Sequence, residues 1–459
     1  MKTNRGIILV DILLALSLAA MFTAIVTESS VGARQVFDKA NERAGSLDAY
    51  ESIVTNSLST SSSPVASSSR LYGNDRIETD IIASSSQQIS FMQVNARDPL
   101  HIADSASTPL CSVDFFDKDL VGSYLSPHSN AITIIPIMLP INPLLPLTDF
   151  QVRNGIAYVS DDSSTASDPD LFVIDFKDKN NPKVLSSINT GPGIAAFAIA
   201  GIRIYAAAAS VAAQLHIIRM DSLNSLALES KYKLPPPYAT ATEPIGSSIF
   251  FDKDKIYLGT EKWDGDEFSV IDVSNPLSPI KIGGLETGSK VNNIFVRDGF
   301  AYVADSDEKQ LRIVDISQSS MPILTDSFSP SGWLRQEGKR VSSFEGALDF
   351  GRTSGGYNIT SDYEAFEWAA ASPSFSMITS PRHSIDIPGG VYGIVADRSH
   401  IYLATRQVNK EFQIFDHSLS TTTALAYSLP VAPQTLTCDG DHLYILAATA
   451  PVIYEISFN

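Results

Sequence analysis

The chain has 459 residues, 44% of them hydrophobic, which is enough for two or three domains and a large buried core. Its 51 acidic residues against 33 basic ones leave a formal charge of −18, which excludes nucleic acid as the natural partner, because phosphate binding needs clustered Lys and Arg. The two cysteines, Cys111 and Cys438, form no metal pattern; an extracytoplasmic setting would allow a bridge between them, and two separate thiols are the other reading.

In chain order, Met1–Gly6 carries Lys2 and Arg5, and the run Ile7–Val26 that follows is apolar except for Asp11. About 20 helical residues span roughly 30 Å, so this run is long enough to cross a bilayer. A carboxylate inside such a helix costs roughly 2.5–3.5 kcal/mol, and a plain anchor or secretory signal has no use for it. A cut after Gly6 gives Asp11 a purpose. It frees an α-amino group on Ile7, and Asp11 of one helix can then pair with the Ile7 ammonium of the next.

Gly6, Ile7 and Asp11, followed by Ile-Leu-Leu-Ala-Leu-Ser-Leu-Ala-Ala, resemble the class III signal of type IV pilins and pseudopilins. The resemblance implies cleavage after Gly6 by a prepilin peptidase and N-methylation of Ile7. It also implies residence in the inner membrane, then assembly with other pilin subunits through Asp11. Ile7 stands where the family usually has Phe, and Asp11 where it has Glu. A single-pass anchor is the competing reading. The basic leader and acidic remainder place everything after Val26 outside.

Residues 7–58 read as one helix, apolar in its first half and amphipathic in its second, with no proline before Pro64. Residues 59–129 read as a serine-rich linker, covering Ser57–Ser69, and a small β region in which Gln88–Val94 and Cys111–Phe116 alternate like strands.

From residue 130 to 459 the chain repeats itself. Leu171-Phe-Val-Ile-Asp175, Phe268-Ser-Val-Ile-Asp272, Leu311-Arg-Ile-Val-Asp315 and Phe412-Gln-Ile-Phe-Asp416 read alike, and Pro182, Pro276 and Pro322 follow three of them. An alternating hairpin precedes each, giving a period of roughly 40–50 residues, the spacing of four-stranded propeller blades. These units resemble the LVIVD repeat of β-propeller proteins. Weaker copies include Leu215–Met220, with Arg219 at the aspartate position, and Val452–Ile456, with Glu455 there. Lys339–Asp386 has the length of a blade without the signature. The expected fold is therefore mainly β, a seven-bladed propeller behind a long pilin-like helix. Ala131–Pro140 should supply the missing outer strand of the last blade by pairing with Val452–Ser457.

The repeat aspartates Asp175, Asp272, Asp315 and Asp416 read as caps of the following turns. Gly191-Pro-Gly193-Ile-Ala-Ala196 matches a dinucleotide fingerprint only formally, because the repeat places an inner strand after it where a helix is required. Acidic loops between second and third strands hold Asp161, Asp162, Asp168 and Asp170, then Glu261, Asp264, Asp266 and Glu267, then Asp305, Asp307 and Glu308. They read as a solvated acidic rim; calcium held by Asp161, Asp162, Asp168, Asp170, Asp264 and Asp266 is the alternative, although no known calcium-loop spacing appears. No nucleophile, phosphate-loop or zinc motif is present. The expectation is a minor, tip-located pilin-like subunit that displays a propeller at the cell surface to bind an unidentified ligand, without catalysis or cofactor. The alternatives are a pseudopilin of a type II secretion system and a membrane-anchored propeller enzyme.

Overall fold

The computed structural model describes residues 66–72, 75–83, 89–96 and 132–458, the last stretch without 163–167, 237–241, 298, 330–335, 345–346, 354–361, 368–380, 382, 397–399, 417–424 and 440–441. Gly6, Ile7, Asp11, the expected helix 7–58 and the segment Cys111–Phe116 lie outside the described residues. Among the described residues, no helix is long and apolar enough to cross a membrane.

The chain divides into two compact units. The smaller contains an antiparallel sheet in which Asp75–Ala83 lies between Ala66–Tyr72 and Ile89–Ala96. The third of these strands is the alternating segment seen in the sequence. The first begins inside the serine-rich stretch read as a linker. Its extended form follows from pairing along Asp75–Ala83, a tertiary effect that overrides the loop preference of serine.

Among the described residues, the larger unit comprises seven four-stranded antiparallel blades in a ring. Blade one is Leu147–Arg153, Ile156–Asp161, Leu171–Asp175 and Lys183–Ile188. Blade two is Ile194–Ala200, Arg203–Ala208, Leu215–Ser222 and Ser225–Tyr232. Blade three is Gly246–Asp252, Lys255–Thr260, Phe268–Asp272 and Ile280–Leu285. Blade four is Val291–Arg297, Phe300–Asp305, Leu311–Asp315 and Ile323–Phe328. Blade five, the one without a signature, is Gly338–Phe344, Ala347–Arg352, Tyr363–Glu367 and His383–Ile385. Blade six is Val391–Ala396, His400–Thr405, Phe412–Asp416 and Leu425–Tyr427. Blade seven is Pro433–Asp439, His442–Ala447, Val452–Phe458 and, from the front of the ring, Ile132–Met138. The first strands of successive blades are neighbours around the whole circle, blade seven beside blade one included.

The burial pattern explains why one strand carries the repeat signature. Second and third strands are sandwiched between adjacent blades, so Ile156–Asp161 is buried throughout and Leu171–Ile174 is buried at every residue. A strand covered on both faces needs a continuous apolar run. Fourth strands lie at the outer edge of the blades, and Lys183–Ile188 holds no buried residue. The core lies between blades: Phe250 and Phe268 of blade three pack with Phe295 and Tyr302 of blade four and with Phe350 of blade five.

The ring closes as expected. Ile132–Met138 runs antiparallel to Val452–Phe458, from Phe458↔Ile132 to Val452↔Met138. Ile137 is fully buried between Tyr444 and Ile453 of blade seven and Leu147 and Phe150 of blade one. Pro136 is tolerated because alternate N–H groups of an outermost strand point away from the sheet. The closing blade also corrects one expectation. Asp272 pairs with Lys255 and Asp175 with Ile156, at the start of the second strand; in blade seven that partner, His442, faces Ser457 across its Oγ. Ser457 therefore holds the aspartate position, and Glu455 lies two residues earlier, buried and bound to Lys179 of blade one at 2.6 Å.

Candidate functional site

The acidic loops do not behave as one group. Asp161, Asp170, Glu267 and Asp305 are fully buried, not solvated. Asp170 sits just before the third strand of blade one. Its Oδ2 accepts from the Thr190 N–H and hydroxyl and from the Gly191 N–H at 3.0 Å, which pins the loop leading into blade two. The same position recurs around the ring. Gln214 accepts from Leu234 N–H at 2.8 Å and Glu267 from Thr287 N–H at 2.8 Å. Asp362 accepts from Ile387 N–H at 3.1 Å and Glu411 from Leu429 N–H at 3.0 Å. A polar side chain at this point satisfies backbone donors in a loop that must turn from the edge of one blade to the axis side of the next. The signal is present in the sequence as a polar residue immediately before the third strand in blades one to six. It went unread because the acids there were grouped with the loop acids beside them.

The remaining calcium candidates are dispersed. Asp162 is exposed, and Asp168 is half-buried, its carbonyl taking the Asn189 amide at 2.6 Å. Asp264 exchanges hydrogen bonds with Thr242, and Asp266 is paired with Lys281 at 2.7 Å. Among the described residues no group of three or more His, Cys, Asp or Glu is placed to hold a metal ion. The formal dinucleotide fingerprint is a turn into the inner strand Ile194–Ala200. Gly193 has φ +83°, and a Cβ there would lie 2.9 Å from the Asp162 backbone.

The first strands carry a second repeated device, absent from the sequence reading. In every blade the register slips by one residue at the start of the inner strand, at the end where the second strand finishes. The extra residue is Thr148, Ala195, Ser247, Asn292, Lys339, Tyr392 and Gln434 in blades one to seven. A bulge re-aims its side chain and frees backbone groups. Four of the seven reach the next blade: Thr148 Oγ1 donates to Ile194 O at 2.6 Å, Ser247 Oγ to Val291 O at 2.7 Å, Asn292 Nδ2 to Gly338 O at 2.8 Å, and Gln434 Nε2 to Thr148 O at 3.5 Å. In the first three the acceptor is the first residue of the next blade's inner strand.

At blades five and six the device changes character. The bulge residues there are a cation, Lys339, and an aromatic, Tyr392. Arg340 Nε donates to Tyr392 O at 2.8 Å. Arg406, just after the second strand of blade six, lays its guanidinium 3.7 Å from the centroid of the Tyr392 ring. It donates from Nε to Pro433 O at 3.2 Å and from Nη2 to Gln434 Oε1 at 3.1 Å. Lys339 Nζ lies 5.8 Å from the same ring. Among the described residues, none of these three cations has a carboxylate within ion-pair distance. Burial pushes the Lys339 ammonium down to about 8; Arg340, Lys290 and Arg406 act in the same direction, and Glu337 opposes them. Arg340 is lowered by burial against the pull of Asp149, a blade-one carboxylate that itself accepts from Phe197 and Phe150 N–H groups.

The LVIVD repeat model matches residues 263–287 and 288–329, which span the third strands of blades three and four. The chain carries LVIVD repeats. No curated protein matches the sequence. Among solved structures the chain is similar to virginiamycin B lyase from Staphylococcus aureus, at 12% identity and TM-score 0.51, over 71% of this chain and 99% of that one. It is also similar to BamB from Moraxella catarrhalis, at 15% identity and TM-score 0.42, over 68% and 85% of the two chains. At this identity the likeness to the lyase is one of fold. The aspartates that end the third strands are turn caps, Asp272 and Asp315 inside the matched repeats and Asp175 in blade one: they accept from the N–H of Ser274, Ser317 and Lys177 at 2.8, 2.8 and 3.0 Å. Bonding to Ser274 holds the Asp272 carboxyl below its usual range. A capped turn is the reason this strand ends in aspartate.

Proposed function

We propose that this protein is a non-catalytic binding module, an LVIVD-repeat propeller displayed at the cell surface on a pilin-type N-terminal segment. The observation that supports the binding reading is how the acids are spent. The buried carboxylates at the blade ends hold loops or pair with cations, as Asp305 does with Arg312 at 2.8 Å. The filament reading is supported by Gly6, Ile7 and Asp11. A propeller of this size is bulky beside a pilin shaft and suits a minor, tip-located subunit better than a major one. Prepilin peptidase would cut after Gly6, the chain would wait in the inner membrane, and Asp11 would pair with the Ile7 amine of a neighbouring subunit. Mass spectrometry of the N-terminal peptide tests this: the mature chain should begin at methylated Ile7. A chain that keeps Met1, or is cut beyond Ala24, overturns it. Asp11→Ala should still insert into the membrane and fail to enter filaments.

A further inference from the structure

We propose that Lys339, Arg340, Tyr392 and Arg406 form a binding site for a compact oxyanion, a carboxylate or phosphate monoester group on a small ligand, at the central mouth of the ring. The proposal rests on reading the propeller as a binding module and names the class of ligand it takes.

The argument starts from the bulge ring. In blades one, three and four the bulge side chain staples its blade to the next through Thr148, Ser247 and Asn292, Gln434 reaches Thr148 O from blade seven, and Ala195 in blade two has no donor to do so. Lys339 and Tyr392 make no such bond; the Tyr392 and Pro433 carbonyls are taken by Arg340 and Arg406 instead. Departure from a repeated structural solution marks a position kept for another purpose.

Charge supports the same conclusion. Two cations, Lys339 and Arg406, lie over the Tyr392 ring and a third, Arg340, holds the Tyr392 carbonyl, in a protein of net charge −18. Like charges this close repel, and half-burial weakens the water that would screen them. An oxyanion relieves both costs. The donors are also held ready. Arg406 is fixed by its stack on Tyr392 and by Pro433 and Gln434, which leaves Nη1 to donate; Arg340 is fixed through Nε, which leaves both terminal nitrogens. Such charge-assisted donors suit carboxylate and phosphate oxygens.

The surroundings select for a small ligand. At the same end of the blades Glu261 and Asp307 are each paired with a cation, Lys290 and Arg312, and the exposed Glu337 adds a carboxylate. Charges of alternating sign disfavour a long polyanion and leave the half-buried cations open to a compact one.

The full-length chain in detergent, titrated with glucose 6-phosphate and with citrate, tests the site; 31P NMR follows the first and calorimetry both. Both probes should bind if the shared oxyanion chemistry is what is recognised, and one alone identifies phosphate or carboxylate as the preferred source. Lys339→Met and Arg406→Gln should each weaken binding by about tenfold or more. Gln434→Glu, which empties no volume and sets a carboxylate on Arg406, should weaken it as much while the thermal midpoint stays at the wild-type value. No binding at about 10 mM of either probe overturns the proposal, as does binding indifferent to all three variants. Binding of a sulfated polysaccharide alone overturns the compact ligand in favour of a polymer. Hydrolysis of glucose 6-phosphate would instead overturn the non-catalytic reading of the propeller, an outcome separate from loss of binding.

Discussion

Arg352 and Glu364 form a buried ion pair, 2.6 Å from Nη2 to Oε1, at the two positions that Asp305 and Arg312 occupy one blade earlier with the charges exchanged. In both blades one partner ends the second strand and the other is the second residue of the third strand. The cation of blade four is the anion of blade five. In these two blades the position holds a matched pair, whichever side carries which sign. Burial pushes the Asp305 carboxyl up to about 6 even beside Arg312, so desolvation is a real opposing cost here.

Removing one partner should expose that cost. Glu364→Ala leaves the Arg352 guanidinium buried without its carboxylate and should destabilise the propeller by about 3–5 kcal/mol. The exchanged double variant, Arg352→Glu with Glu364→Arg, should recover much of the loss, because blade four already uses that arrangement. Urea unfolding of the three proteins measures it; a double variant as unstable as the single one would deny that the pairing itself matters.

His216, on the third strand of blade two, is 1% exposed, and burial together with Lys231 holds its pKa down to about 4. Its folded pKa lies below the unfolded value of about 6.5. The unfolded chain therefore takes up the proton first, so the neutral buried ring contributes its full stability above that pH. The contribution is lost as pH falls from about 6.5 toward 4, by about 3 kcal/mol in total. The thermal midpoint should drop between pH 7 and pH 5 in the wild type and drop less in His216→Leu.

Ile137 and Met138 are neighbours on the closing strand with opposite fates, one fully buried and the other 61% exposed. Ile137→Ala should cost about 2–5 kcal/mol, since it empties the seam between blades seven and one. Met138→Ala should change stability by no more than about 0.5 kcal/mol. Equal effects in chemical denaturation would argue against closure through this strand.

Cys438, buried on the inner strand of blade seven, is disulfide-bonded. The other cysteine of the chain, Cys111, lies outside the described residues. Thiol labelling without reductant should find no free thiol. Cys438→Ser or reduction should lower stability by about 2–5 kcal/mol, the usual scale for losing a native bridge.

The propeller was legible because its signals are local. An apolar third strand ending in a turn-capping aspartate announces one blade, and the count of such units, with blade five taken by length, reaches seven. The spare strand Ile132–Met138 was visible as a strand without a blade, and the last blade as a blade without its fourth strand. The expected helix with Gly6, Ile7 and Asp11 rests on residue order alone and lies outside the described residues.

The mouth was not legible, for a physical reason. Lys339, Tyr392, Arg406 and Gln434 lie far apart in the chain, and only the curvature of the closed ring brings their blades together. Their orientation depends on bulges, which shift the pairing register by one residue and leave no mark in hydrophobic periodicity. The acids show the same division. The sequence determined that they sit between second and third strands; only the folded chain decided that Asp170 and Glu267 turn inward onto loop N–H groups while Asp162 and Asp264 stay at the surface. Pattern specifies which strand a residue belongs to, whereas the partner of a polar side chain is set by which blade packs beside it.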